Sequence, residues 1–536
     1  MSFVPDTQNK EFQDALNLIQ YTRQSVFLTG KAGTGKSTFL KYICANTKKK
    51  HVVLAPTGIA AINAGGSTLH SFFKLPFYPL LPDDPNFSLQ RGRIHEFFKY
   101  TKPHRKLLEE LELVIIDEIS MVRADIIDAV DRILRVYSRN LREPFGGKQI
   151  LLVGDVFQLE PVVKGDEREI LNRFYPTPYF FSARVFGQID LVSIELQKVY
   201  RQTDSKFIHV LDHIRNNTVG SAELQLLNTR YGTQIEQSEA DMYITLATRR
   251  DNVDYINDKK LAELPGDPVT FYGEIMGDFP ESSLPTSQEL VLKPGAQIIF
   301  IKNDFDRRWV NGTIGVISGF DPIEETLYVI TDDGKECDVK RESWRNIRYK
   351  YNEEKKQIEE EELGIFTQYP VRLAWAITVH KSQGLTFSRV VIDFTGGVFA
   401  GGQAYVALSR CTSLEGIQLK KPISRADVFV RPEIVSFSER FNNRTAIDRA
   451  LKQAQADVQY VAAAKAFDKG DFGTFLDEFF KAIHSRYDIE KPNVQRLIRR
   501  KLNIINRLKE ENRALKQAAL EKEKALVTVS YTHLRA

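Results

Sequence analysis

Short apolar runs, separated by helical stretches with one apolar face, dominate the first part of the chain. Ser25–Thr29, His51–Ala55, Leu113–Ile116 and Gln149–Val153 lack the alternation of a half-exposed strand, so they read as strands buried on both faces. Such strands alternating with helices predict a doubly wound α/β domain. A second set follows, with Ile244–Ala247 and Arg389–Asp393 as its clearest members. Between the two sets, from about Leu264 to Gln368, the texture changes. Pro, Gly and β-branched residues of period two prevail there, as in Ala296–Phe300 and Thr313–Ile317, and predict a small antiparallel barrel inserted into the second α/β domain. Asn352–Glu362 is dense in charge and reads as a helix or hairpin tip with a solvated face.

From about Ser436 the pattern turns helical and charged. Asn493–Lys524 carries a partial heptad, with Val494, Lys501, Leu508 and Leu515 in one seam position and Leu497, Ile504, Glu511 and Ala518 in the other. Lys501 and Glu511 interrupt the seam, so any coiled coil is weak. Val529–Ala536 fits nothing before it. It resembles translated sequencing-adapter read-through and is left out of the fold as a non-native tail.

The length of 536 residues predicts several domains, and 42% hydrophobic residues suffice for sizeable cores. No window approaches a membrane-spanning length, and Met1–Asp6 lacks a signal-peptide pattern. Cys44, Cys337 and Cys411 are too scattered for a disulfide framework or a zinc site, which points to a reducing, bacterial-type cytoplasm. A net charge of +4 says little about partners by itself.

Chemistry enters at Gly30-Lys31-Ala32-Gly33-Thr34-Gly35-Lys36-Ser37. Alone, this octapeptide also describes a surface turn with an exposed lysine. The strand-like run before it and the helix-like Thr38–Ile43 after it favour a P-loop. The backbone around Gly33, Thr34, Gly35 and Thr38 would cradle the phosphates of a nucleoside triphosphate. Lys36 would reach the β/γ-phosphates, and the Ser37 hydroxyl would sit on Mg²⁺. Asp117 and Glu118 end the buried run Leu113–Ile116. After a P-loop, Asp117 would hold Mg²⁺ through water and Glu118 would polarise the attacking water. Gln158, in Gly154–Pro161, would sense the γ-phosphate through its amide. Arg201 and Arg410 lie far downstream and read either as surface ion pairs or as cations delivered from a second domain to the transition state. Gln8 precedes the P-loop by a helix and carries an amide suited to adenine.

Taken in order, GKAGTGKS, IIDE, GDVFQLEP, VYRQ, VHKSQG (Val379–Gly384) and AYVALSR resemble the superfamily-one helicases. More narrowly they are similar to the 5′→3′ branch and to its Pif-type family, itself related to RecD-like helicases. Ile119–Arg132, continuing to Arg139, resembles the signature that family carries after its Asp-Glu motif, and Lys293–Gln297 with Val310–Gly315 resembles its inserted β-barrel. Glu160 stands where many relatives show a proline or small residue. The resemblance covers residues 1–435 and implies an α/β fold of two RecA-like P-loop domains, an inserted small β-barrel and a helical C-terminal extension. The expected boundaries are 1–185 for the first motor domain, with a wedge-like insertion at 72–105, and 186–263 with 369–435 for the second. The barrel would span 264–368, the helical extension 436–528 and the non-native tail 529–536.

The resemblance further implies ATP and Mg²⁺ as cofactors and single-stranded, forked or structured DNA as partner. It implies a monomeric motor that translocates 5′→3′ and unwinds duplexes in genome maintenance; the C-terminal helices, which have no counterpart in the family, are expected to offer partner contacts. Thr57, Ser67, Thr68 and His70 would line the strand in the first motor domain. Thr378, His380, Lys381 and Ser382 would do so in the second, with Thr248 and Arg249 beside them and Gly384 nearer the nucleotide. Phe72 and Phe73 suit either base stacking or core packing. Three alternatives stay open: a RecD-like subunit of a nuclease machine, a translocase without strong unwinding, and a nucleotide switch for assembly.

Overall fold

The apolar runs of the first motor domain form six parallel strands, and their order creates the site. From one edge to the other the sheet runs Ser67–Thr68, His51–Ala55, Leu113–Ile116, Gln149–Val153, Val26–Gly30 and Val192–Leu196. Three of these strands, Val26–Gly30, Leu113–Ile116 and Gln149–Val153, are buried at every residue, which is why their sequences do not alternate; His51–Ala55 and the two edge strands each keep one half-buried residue. The P-loop, the Asp117-Glu118 pair and the Asp155–Gln158 turn leave the same ends of three adjacent strands. Ligands of open parallel sheets bind at such ends. The structure, a computed structural model, describes residues 6–76, 78–84, 94–163, 165–202, 204–233, 242–306, 308–352, 354–355, 357–486 and 492–533.

Two expected boundaries move. The first domain does not end at 185, because Val192–Leu196 pairs in register with Val26–Gly30 and completes its sheet. The segment after 435 is likewise not yet an extension. Ile434 and Phe437 join the first domain's core, Phe437 stacks on Phe181 at 4.3 Å, and Asn442 N–H donates to the Ser193 carbonyl. The chain therefore returns to the first lobe before leaving it.

The second motor domain holds a four-stranded parallel sheet, ordered Ala376–Thr378, Ile244–Ala247, Val390–Asp393 and Ile417–Leu419. The run 372–377 is not one strand. Val371–Leu373 pairs with Gln297–Phe300 in the insert, whereas Ala376–Thr378 joins the motor sheet. The insert thus extends past 368. It comprises a five-stranded antiparallel sheet, a two-stranded one and a three-stranded one. The five-stranded ladder is open, with Glu336–Val339 and Val371–Leu373 at its edges, so among the described residues the hydrogen bonds show antiparallel sheets and no closed ring of strands. The charged 352–362 stretch belongs to the hairpin of Glu342–Asn352 and Gln357–Gln368.

Of the wedge-like stretch 72–105, residues 77 and 85–93 lie outside the described residues. Phe72, Phe73, Leu80, Phe98 and Tyr100 within it are buried in the first domain's core. Core packing therefore accounts for Phe72 and Phe73. Residues 1–447 form one compact unit and 448–536 a second. In the second unit Ala463, Phe479 and Ile483 make a small helical core, and the last helix, Pro492–His533, includes the backbone of residues 529–533 from the expected tail. Leu508 and Leu515 of its heptad are exposed. Among the described residues no helix is long and apolar enough to cross a membrane.

Candidate functional site

The P-loop helix, Lys36–Asn46, starts from Gly35 in the left-handed region at φ 90°. Ser37 is exposed and Thr38 half-buried at its first turn. Thr34 is buried and donates its hydroxyl to the Lys31 carbonyl at 2.9 Å. Lys36 folds back, with Nζ donating to the carbonyls of Gly30 at 2.6 Å and Lys31 at 3.0 Å. Burial lowers its pKa, opposed by the charges of Asp155 and Glu118. An ammonium held by two neutral carbonyls is available to a polyphosphate.

Asp117 and Glu118 fit a divalent cation. Burial raises the Asp117 carboxyl, while burial followed by the neighbouring Asp117 pushes Glu118 up to about 7. Hard oxygen donors crowded in this way suit Mg²⁺. Glu118 also sits at φ 49°, a conformation that costs a non-glycine residue roughly 1–2 kcal/mol. Gln158 is buried, and its side-chain amide donates to Asp155 at 3.4 Å.

Both distant arginines arrive here. Arg201 lies against the loop so closely that a β-carbon on Gly33, itself at φ +81°, would stand 2.4 Å from the Arg201 Cβ. Tyr200 N–H donates to the Gly33 carbonyl, and the Arg201 guanidinium donates to the Ser409 carbonyl at 3.2 Å. Arg410 is 2% exposed, and its charge acts on Glu118. Burial and then Arg201 lower it to about 9, and burial lowers Arg201 to about 10. Neither is a surface ion pair. The lobes also meet at Gly402, at φ +77°, where an added β-carbon would lie 2.3 and 2.4 Å from the carbonyl oxygens of Phe157 and Gln158.

Sequence reasoning passed over Arg215 and Tyr405. Arg215 is buried between Asp155 at 3.1 Å and Glu195 at 2.9 Å and lies 4.3 Å over the Phe157 ring. Burial works most strongly against its charge, but Asp155, Tyr405 and Glu195 together outweigh it and raise the pKa. No motif surrounds Arg215, so no local signal marks it. Tyr405 accepts from the Ala32 N–H at 2.9 Å, and it was legible inside AYVALSR. Glu160 accepts from the Tyr179 hydroxyl and from Arg431, which explains an acid at that position and leaves Gln158 undisturbed. The acids of the signature helix Ala124–Tyr137 are likewise structural, Asp128 accepting from Tyr175 and from the N–H groups of Arg184 and Val185. Gln8 is exposed two residues from Asp6, which accepts from Tyr200, and Gly384 is exposed at φ +79°.

The residues expected on a nucleic-acid strand divide in two. Thr57 and Thr68 cap the helices Gly58–Ala64 and Leu69–Phe73, accepting from Ala60 and Ser71 N–H. Thr57 is exposed, and Thr68 and His70 are half-buried. Lys381 is exposed, and His380 lies parallel to the exposed Phe399 ring at 6.5 Å. Ser382 is a correction: it is 0% exposed and donates its hydroxyl to the Val379 carbonyl, so it supports the Arg410 pocket from within and faces no strand. Ser67, Thr248 and Thr378 are also buried, and the Thr378 hydroxyl accepts from Lys381 N–H.

A cleft opens where the first lobe, the insert and the second lobe meet, lined among others by Ile59, Asn63, Trp344, Arg372, Lys381 and Gln383. Burial lowers Arg372 to about 10, and burial followed by Arg372 lowers Lys381. Among the described residues neither cation has an ion-pair partner. Two unpaired cations beside an indole are suited to phosphate and base.

The PIF1-like helicase family profile matches residues 4–225. The "ATP-dependent DNA helicase PIF1" of Homo sapiens is 34% identical over 417 residues, 74% of this chain and 58% of that protein. The chain spans 60% and 58% of the first vertebrate relatives it matches. The "ATP-dependent DNA helicase Pif1" of Bdellovibrio bacteriovorus is 31% identical over 442 residues, 80% of this chain and 91% of that one. The crystal structure of Bacteroides sp Pif1 in complex with ADP-AlF4 superposes with TM-score 0.73 at 42% identity, covering 80% of this chain and 96% of the other. Bacteroides Pif1 bound to ssDNA gives 0.58 at 42% identity, covering 82% and 97%. The chain belongs to the PIF1-like helicase family.

Proposed function

We propose that the protein is an ATP-dependent DNA helicase that moves 5′→3′ along single-stranded DNA and unwinds duplexes in genome maintenance. The observation that carries the reading is the meeting of Arg201 and Arg410 with the P-loop and Glu118 across two parallel-sheet lobes. ATP would draw Lys36 off the Gly30 and Lys31 carbonyls onto the β/γ-phosphates. Gly33, Thr34, Gly35 and Thr38 would cradle the phosphates, Gln8 would read the base, and Gly384 would border the pocket. Ser37 and Asp117 would hold Mg²⁺, which supplies charge neutralisation when bound. Glu118 takes the proton of the attacking water, its basicity raised by burial and by the neighbouring Asp117. Gln158 orients that water and senses the γ-phosphate. Arg201 and Arg410 neutralise charge in the transition state, an effect worth ~10³–10⁵ in rate in related NTPases.

The strand would cross the three-way cleft, over Thr57, Thr68, His70, His380 and Lys381. Arg372 joins them from the insert. The insert is read as a small β-barrel, supported by the core that Phe271 and Leu290 of its two-stranded sheet share with Ile298 and Val329 of the five-stranded one. The motor acts as a monomer, and the exposed leucines of Pro492–His533 offer a face for partners. Support from relatives is the binding of ADP-AlF4, ssDNA and forked dsDNA named for Pif1 structures. The test is ATP-dependent unwinding of forked duplexes carrying only a 5′ or only a 3′ tail. The expected result is separation of the 5′-tailed substrate alone. ATP hydrolysis indifferent to DNA, or equal use of both tails, overturns the reading.

A further inference from the structure

His209 and His213 stand one turn apart on the helix Ser205–Arg215, and Glu223 approaches them from the helix Ser221–Asn228. One donor atom from each of the three lies within 4.8 Å of the other two. The imidazole centroids are 4.2 Å apart. Two of the three side chains are steered by backbone. His213 Nδ1 lies 3.2 Å from the Thr218 carbonyl, and Gly220 N–H donates to Glu223 Oε2 at 2.9 Å. A proton on Nδ1 directed at that carbonyl leaves the Nε2 lone pair of His213 for a metal, the usual way an outer hydrogen bond fixes a ligand's tautomer. The second carboxylate oxygen, Oε1, lies 3.6 Å from the same Nδ1, so metal binding through Nε2 requires the Glu223 carboxylate to turn toward that edge of the ring.

We propose that His209, His213 and Glu223 form a transition-metal site of the zinc class, separate from the Mg²⁺ position at Ser37 and Asp117. Two imidazoles and a carboxylate make a borderline donor set that favours Zn²⁺ over Mg²⁺ or Ca²⁺, which prefer oxygen alone. Ligand atoms around tetrahedral zinc stand about 3.3 Å apart. The three side chains would close that gap by rotating, and His209 is exposed. Water takes the fourth position.

The site has a mechanical address. Its helix also carries Asp212, whose carboxylate meets Lys31 of the P-loop at 2.6 Å, and Arg215, which pairs with Asp155. A metal bridging this helix to Ser221–Asn228 fastens the element that presents both residues to the nucleotide pocket.

The experiment uses the full chain without a polyhistidine tag. Zn²⁺ is titrated against a chromogenic chelator in excess Mg²⁺, and thermal unfolding is followed in parallel without nucleotide. The expected result is one more tightly held Zn²⁺ per chain than in the His209→Ala/His213→Ala double variant. Glu223→Gln should weaken that site by at least about tenfold. The unfolding midpoint should rise on adding Zn²⁺ in the wild type and stay fixed in the double variant, whose zinc-free midpoint matches the wild type. Equal Zn²⁺ uptake by the wild type and the double variant, or displacement by Mg²⁺, overturns the proposal.

Discussion

Replacing Arg410 with methionine should leave the apo fold at least as stable while removing nearly all hydrolysis. The guanidinium is 2% exposed and forms no ion pair among the described residues. Its partners are neutral: the Val406 carbonyl at 2.9 Å, those of Leu385 and Ser382 at 3.3 and 3.4 Å, and the Ser409 hydroxyl at 3.0 Å. Burial, reinforced by Arg201, brings the pKa from 12.5 to about 9, which corresponds to about 5 kcal/mol charged against the folded state. Methionine keeps much of the length and drops the charge. Carbonyls left without a donor return about 1–3 kcal/mol of that relief each at most, and Val406 retains the Ser409 hydroxyl as a partner. Apolar replacement of buried charge is often neutral or stabilising by 1–4 kcal/mol, roughly the outcome expected here. Turnover should fall ~10³-fold or more, about 4 kcal/mol on the barrier. Urea unfolding without nucleotide, set beside phosphate release with saturating single strand, measures both quantities. A variant destabilised by more than about 2 kcal/mol, or one that hydrolyses ATP within about tenfold of the wild type, would refute the reasoning.

Arg372→Ala should weaken single-strand binding with little dependence on sequence and lower the slope of log affinity against log salt by about 0.7, measured by fluorescence anisotropy over a salt series. An unchanged slope removes Arg372 from the phosphate path. His104 gives a pH signature. Burial, with smaller effects from Lys74 and Arg348, brings its pKa from 6.5 to about 4, so the folded chain holds it neutral where the unfolded chain takes up a proton. The stability this confers is complete above pH 6.5 and is lost as pH falls toward 4, by up to about 3 kcal/mol. His104→Phe should flatten that part of the profile of unfolding midpoint against pH, and an unaltered profile would exclude His104 as the source.

What the sequence made legible was chemistry confined to a few consecutive residues. The P-loop and the Asp-Glu pair declare themselves because a strand, a turn and a helix start lie within one short segment. The arrival of Arg201 and Arg410 was inferable only from the motif series, since nothing local separates a buried arginine from an exposed one. Ser382 was misjudged for the same reason: a serine between Lys381 and Gln383 looks solvated until the Arg410 pocket closes over it. Val192–Leu196 pairs with a strand more than 160 residues earlier, and Phe437 returns to a core begun at Phe27. Neither pairing leaves a trace in local periodicity. Phe72 and Phe73 were undecidable because an aromatic suited to a base suits a core equally well.

At Gly402 one lobe touches the backbone of the other with no side chain between, and Gly33 packs as closely against the Arg201 Cβ. Clearance along this seam is set by hydrogen atoms, so a single methyl group at either position is a shim that holds the halves ajar. Most of the surface can drift in composition without altering the fit. The stroke of the machine is therefore gauged by two carbons that are missing.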